Sequence, residues 1–172
     1  MHILLIGFMC CGKSSVGREL APVLGMPFRD LDRAIEERVG PILPFFQSEG
    51  EEAFRSVERE VLEGLLDGPD AVIATGGGTP CERDNLDIML AKGTVVWLDV
   101  PLDDLMPRIE RAGGDRPLLH GLEGNALRAR VCELLESRLP IYGKAEWIVQ
   151  ANAAVGVVAD RIHAAVKGLH PR

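Results

Sequence analysis

The chain has 172 residues, 47% of them hydrophobic and 26% charged, with a net charge of −7. That length fits one domain with a sizeable core, and the composition excludes a disordered chain. The acidic balance argues against a nucleic-acid binder, which carries a basic excess, although a pocket can still attract an anion through its own arginines and backbone N–H groups.

Taken in chain order, short β-rich apolar runs alternate with segments of helical period. "ILLI" (Ile3–Ile6) predicts the first strand, and "KSSVGRELAPVL" follows as a helix with Val16, Leu20 and Val23 on one face. "FRDLD" is expected to end a second strand, with the Asp30 and Asp32 side chains on the same side of an extended backbone. Helices are then predicted over Asp32–Val39 and through "EAFRSVEREVLEGLL". "AVIA" (Ala71–Ala74), "TVVWLD" (Thr94–Asp99) and "WIVQ" (Trp147–Gln150) predict the remaining strands. Further helices are expected near Glu82–Lys92, Leu102–Ala112, Ala126–Arg138 and Ala153–Val166. This alternation implies an open, mostly parallel α/β sheet whose ligands gather beyond the carboxyl ends of the strands. "RAGGDRPLLHGLEGN" (Arg111–Asn125) is the one long glycine-rich connection, expected as a surface loop acting as a lid.

No apolar run reaches the roughly 18 residues of a membrane span, and "MHILLIGF" lacks the basic start and cleavage site of a signal peptide. A cytoplasmic protein without membrane partners is expected. Cys10, Cys11, Cys81 and Cys132, like His2, His120, His163 and His170, lack the spacing of a zinc site. Monomer is the default expectation, and no disulfide is expected.

Gly7-x-x-x-x-Gly12-Lys13-Ser14 has the pattern of a phosphate-binding loop, with a strand before it and a helix after it. Successive backbone N–H groups in such a loop face inward, and the helix presents its positive end to the same point. Gly12 allows close approach, Lys13 reaches the β- and γ-phosphates, and the Ser14 hydroxyl ligates Mg²⁺. Cys10 and Cys11 stand near a lysine and a helix N-terminus, which favours thiolate, although small side chains packed aside are the plainer reading.

The loop alone leaves kinase, GTPase and motor readings open. One carboxylate of "DLD" could hold Mg²⁺ through water while the other accepts a hydroxyl proton. In "EGEEAFRSVERE", Arg55 and Glu58 lie three apart on one helix face, to pair or jointly grip a polar ligand. Gly76, Gly77 and Gly78 of "ATGGGTP" let backbone N–H groups approach a ligand. Arg116 in "DRPLL" and Arg138 in "ESRLPIY" complete a set suited to a small carboxylate-bearing acceptor.

In order along nearly the whole chain, "GxxxxGKSS", "DLD", "GEEAFR..E", "TGGG", "RPLL" and "SRLPIY" resemble the shikimate kinase family. The resemblance implies a P-loop NTPase-type three-layer sandwich with a five-stranded, mostly parallel sheet. It further implies an acceptor-binding helical segment about 31–60 and a mobile lid about 111–125. The implied reaction moves the γ-phosphate of ATP to the 3-hydroxyl of shikimate, with Mg²⁺, in aromatic amino-acid biosynthesis. Gly7, Cys10, Cys11, Gly12, Lys13, Ser14 and Ser15 would form the nucleotide loop, with Asp30 supporting the metal beside Ser14. Asp32 would bind the acceptor and act as base, and Arg55 and Arg138 would hold its carboxylate. Gly76, Gly77 and Gly78 would line the acceptor with Glu58 behind them and Phe46 and Phe54 as apolar walls. Arg116 would close onto the transferring group, and Arg111 is similar to the residue that stacks on adenine.

Three features depart from the family pattern. Cys10 stands where a further glycine is usual, which adds strain if φ is positive there. "VGPILPFFQSEG" is proline-rich and a residue shorter, with Pro44 tolerable only at a helix start. The lid between Arg111 and Arg116 is short. The rivals are a gluconate-type or a nucleotide kinase, or a non-catalytic nucleotide-binding relative.

Overall fold

The computed structural model describes residues 1–113 and 116–168; Gly114 and Asp115 of the expected lid, and His170, lie outside them. Five strands form one sheet in the order β2-β3-β1-β4-β5: β1 (His2–Ile6), β2 (Phe28–Asp30), β3 (Val72–Ala74), β4 (Gly93–Asp99) and β5 (Trp147–Gln150). Each neighbouring pair is parallel. All five residues of β1 are buried. Since successive side chains of a strand point to opposite faces, both faces of the sheet are covered, as the three-layer expectation requires.

The covering helices are α1 (Lys13–Leu24), α2 (Leu31–Val39), α3 (Ile42–Leu66), α4 (Asn85–Lys92), α5 (Leu102–Ala112), α6 (Gly124–Tyr142) and α7 (Val155–Val166). Helices α1 and α7 pack together, and α4 lies on β4 with α3 beside it. Leu4, Leu5, Ile6, Ile73, Val95 and Val96 from the central strands are sealed by Leu20, Leu62, Met89 and Ile162 from the helices. Burial of such side chains contributes about 1.5–3 kcal/mol each. His2, at the amino end of the central strand, ties it to the end of α3: its Nδ1 accepts the Ala71 N–H at 3.2 Å, so Nε2 carries the proton donated to the Leu66 carbonyl at 3.0 Å.

Several expected boundaries move, each for a local reason. "FRDLD" is not extended throughout. The strand stops at Asp30, whose carboxylate accepts the Arg33 N–H and caps α2, so Asp32 sits in the first helical turn. The proline-rich segment is itself helical. Pro41 is the N-cap of α3 and Pro44 lies in its first turn, where a missing N–H breaks no helical bond. Gly50 (φ 86°, ψ 172°) then breaks α3 into two halves at an angle only glycine adopts readily. The helix expected from Glu82 begins at Asn85, after a 3-10 turn over Thr79–Cys81. The Arg111–Asn125 connection is less of a loop than expected: Arg111 and Ala112 finish α5, Pro117–Leu119 form a 3-10 turn and α6 starts at Gly124.

Strands β1 and β3 are neighbours, so the loop after β1 and the glycines after β3 emerge side by side at the same sheet edge. Asp30, at the end of β2, stands opposite Ala74 in register. Among the described residues, no helix is long and apolar enough to cross a membrane, and no His, Cys, Asp and Glu cluster forms a metal cage.

Candidate active site

Among the cavities at that edge, two hold most of the expected site residues. The first, of about 320 Å³, is lined by Cys10, Gly12, Lys13, Ser14 and Ser15 of the loop, with Met9, Asp32, Thr75, Gly77 and Arg116. Lys13 is nearly buried, and its Nζ donates to the carbonyls of Gly7 (2.8 Å) and Phe8 (2.9 Å). The ammonium therefore lies along the cradle, with flexible reach into it. Ser14 Oγ donates to Asp30 Oδ2 at 2.5 Å, which joins the hydroxyl and carboxylate expected to share a metal. Oxygen donors of this kind suit Mg²⁺.

Cys10 has φ 63°, so the strained conformation foreseen at this position is real. Of the two readings of the cysteines, small side chains packed aside is the one favoured at Cys10. Burial pushes the Cys10 thiol above its ordinary value, outweighing the pull of Arg116 and Lys13. Cys11 is buried with its Sγ 3.7 Å from Lys13 Nζ, and all four cysteines are free.

The second cavity, about 120 Å³, is walled by Ile42, Phe46 and Phe54, floored by Gly76, Gly77 and Gly78 and bordered by Arg116, Pro117 and Leu118. The Phe46 and Phe54 rings lie 5.6 Å apart. Two guanidinium groups converge on the floor: a Cβ on Gly78 would sit 2.9 Å from Arg55 Nη2 and 3.3 Å from Arg138 Nη2. A side chain there would push the guanidinium groups aside. Arg55 Nη1 donates to Glu58 Oε2 at 2.8 Å, and Glu58, fully buried, also accepts the Thr79 hydroxyl at 2.6 Å. Arg138 stacks over the Phe8 ring at 5.4 Å. Two buried nitrogens, Arg55 Nε and Arg138 Nη1, lack a hydrogen-bond partner among the described residues. Buried polar groups are normally satisfied, so these nitrogens leave spare donors beside the cavity, although Arg55 Nε lies 3.9 Å from Glu82 Oε2.

Met9, Asp32, Gly77 and Arg116 line both cavities. Asp32 is the one carboxylate on that shared wall. Burial is the main cause that raises its pKa from 3.8 to about 6; Lys13 opposes the shift, and Asp30, Glu58 and Glu36 add to it.

The shikimate kinase family model matches residues 9–167. The chain belongs to the shikimate kinase family. The shikimate kinase of Parabacteroides distasonis is 44% identical over 145 residues, spanning 84% of this chain and 84% of that protein. The crystal structure of shikimate kinase from Bacteroides thetaiotaomicron superposes with a TM-score of 0.90 at 35% identity, covering 97% of this chain and 98% of that one. Shikimate kinase from Acinetobacter baumannii in complex with shikimate also gives a TM-score of 0.90, at 33% identity over 99% and 95% of the two chains. The chain is thus an ATP-dependent kinase, a phosphotransferase acting on a hydroxyl group.

Of the positions carried over from the shikimate kinase pattern, Lys13, Ser14, Ser15, Asp32, Phe46, Phe54, Arg55, Glu58, Gly76, Gly77, Gly78, Arg116 and Arg138 all line one cavity or both. Arg111 is exposed in the last turn of α5 and lines neither; Arg108, one turn earlier, is the α5 cation that acts on Cys10. Sequence reasoning missed Met9, Thr75, Thr79 and Tyr142. Thr79 had a signal, as the first polar side chain after the glycines. Tyr142 had one too, since it follows Arg138 by four residues and shares its helix face.

Proposed function

We propose that this protein transfers the γ-phosphoryl group of ATP to the 3-hydroxyl of shikimate. The observation that carries the reading is the shared wall: a loop-lined phosphate cavity meets a small cavity holding two arginines, with Asp32 and Arg116 at the junction. An acceptor held by its carboxylate between Arg55 and Arg138 directs a ring hydroxyl towards Asp32. A nucleotide on the loop directs its terminal phosphoryl group to the same point. Juxtaposition of this kind converts a bimolecular step into an intramolecular one.

Each residue then has a defined task. Lys13 exchanges the Gly7 and Phe8 carbonyls for phosphate oxygens. Asp32 accepts the hydroxyl proton; with a pKa of about 6 it is ionised at neutral pH yet basic enough to do so. The transition state is loose, so positioning and charge stabilisation dominate, and Arg116 supplies the latter from the lid side. Ser14 and Asp30 would hold Mg²⁺, which would supply charge neutralisation for the phosphoryl group in transfer. The reading takes a monomer as the active unit, because one chain supplies both cavities. It also takes the cytoplasm as its compartment, where free thiols persist.

ADP release from MgATP, measured with shikimate, gluconate and nucleoside monophosphates in parallel, tests the proposal. Strong stimulation by shikimate alone is expected. Stimulation by another acceptor instead would overturn the assignment, and ATP binding without turnover would favour a non-catalytic relative.

A further inference from the structure

Tyr142, the last residue of α6, is completely buried, and its hydroxyl donates to the Gly77 carbonyl at 2.5 Å. Its ring rests against Trp97, with centroids 5.8 Å apart. One turn earlier on the same helix face, Arg138 reaches the same glycine: a Cβ on Gly77 would lie 3.4 Å from Arg138 Nη1 and 3.1 Å from the backbone nitrogen of Met9. The Gly77 backbone is therefore clasped between the nucleotide loop and the end of α6.

The carbonyl of Gly77 and the N–H of Gly78 belong to one planar trans peptide and point in opposite directions. Tyr142 anchors the carbonyl on the buried side. The Gly78 N–H is thereby turned away from the Tyr142 hydroxyl, at a residue whose Cβ would meet both Arg55 and Arg138. Two glycines in succession are otherwise the least constrained backbone in the chain. A floor of that kind needs an external constraint to hold one peptide orientation.

We infer that Tyr142 is a positioning residue that fixes the Gly77–Gly78 peptide and so aims the Gly78 N–H at the acceptor's carboxylate. The inference rests on the acceptor assignment above. Tyr142 touches no reacting atom; it acts through Gly77, and through Arg138, which its hydroxyl also meets.

The test uses full-length protein already shown to turn over shikimate, so failure of the functional reading is seen first and separately. Tyr142→Phe keeps the ring and removes the one hydroxyl. The shikimate KM is expected to rise about fivefold to tenfold, as for a lost hydrogen bond and a freed partner, while the ATP KM stays within about twofold. A shikimate KM like that of the parent, or a parallel rise of both KM values, would overturn the inference. Tyr142 is also the only tyrosine in the sequence, so growth on 3-fluorotyrosine labels this position alone while keeping its hydroxyl. Its ¹⁹F resonance is expected to shift on saturation with shikimate. A resonance indifferent to shikimate would contradict the coupling even if the Phe variant failed to fold.

Discussion

The loop-lined cavity and the two-arginine cavity share a wall but are built on different principles. The first is lined mostly by a single run between Met9 and Ser15, with Lys13 its one lysine. The second draws side chains from α2, both halves of α3, the turn after β3, the lid side and α6. A cradle of contiguous backbone tolerates odd side chains, which is why two adjacent cysteines are accommodated. A cavity assembled from distant elements depends on each side chain and on what holds it. Arg55 depends on Glu58, Glu58 on Thr79, and Gly77 on Tyr142.

The sharpest way to break this contrast is at the wall itself. Asp32→Asn is expected to lower turnover by about 10²–10⁴-fold, the usual worth of a general base, while MgADP affinity stays nearly intact. Unchanged turnover would remove Asp32 from the mechanism. In the parent, kcat should fall as pH drops through about 6, following protonation of this carboxyl.

The same residue gives a smaller effect of opposite sign on stability. Its native pKa lies above 3.8, so the folded state binds the proton more tightly than the unfolded chain does. Stability is therefore lost as pH rises from about 4 to about 6, and the loss is complete above that window. Asp32→Asn is expected to stabilise the protein by about 2–3 kcal/mol at pH 8 and by almost nothing at pH 4. Denaturant titrations at the two pH values check this, and equal stabilities at pH 8 would contradict it.

These cases show what could be read from the sequence. The cradle was legible because its spacing is a local rule, and Cys10 was flagged as a site of strain for the same reason. The strand and helix alternation was equally legible, since burial on both faces leaves nearly continuous apolar strands. The acceptor side was legible only in part. Arg55, Glu58 and Arg138 carried a chemical signature, but Met9, Thr79 and Tyr142 earn their places through contacts between distant segments. Asp32 lies on the wall the two cavities share, but in a helical turn rather than the extended backbone expected, because Asp30 ends the strand by capping the next helix. Arg111 shows the converse: a motif position whose described side chain lies outside both cavities.

The smallest expected effect sharpens the comparison from the cradle side. Cys10→Gly removes a left-handed non-glycine residue at φ 63°. Relief of that strain is offset by the greater freedom of glycine in the unfolded chain, leaving a gain of about 1 kcal/mol or less with kinetics unchanged. A lower melting temperature would show that the thiol contributes packing that outweighs the strain.

The central claim is that acceptor and nucleotide are held by separate sets of groups that meet only at the wall. Calorimetric titration of Arg55→Ala with shikimate and with MgADP tests it most directly. The account predicts a loss of about 1.5–3 kcal/mol in shikimate affinity, the worth of a hydrogen bond to a charged group, with MgADP affinity unaltered. Undiminished shikimate binding, or equal losses for both ligands, would contradict it.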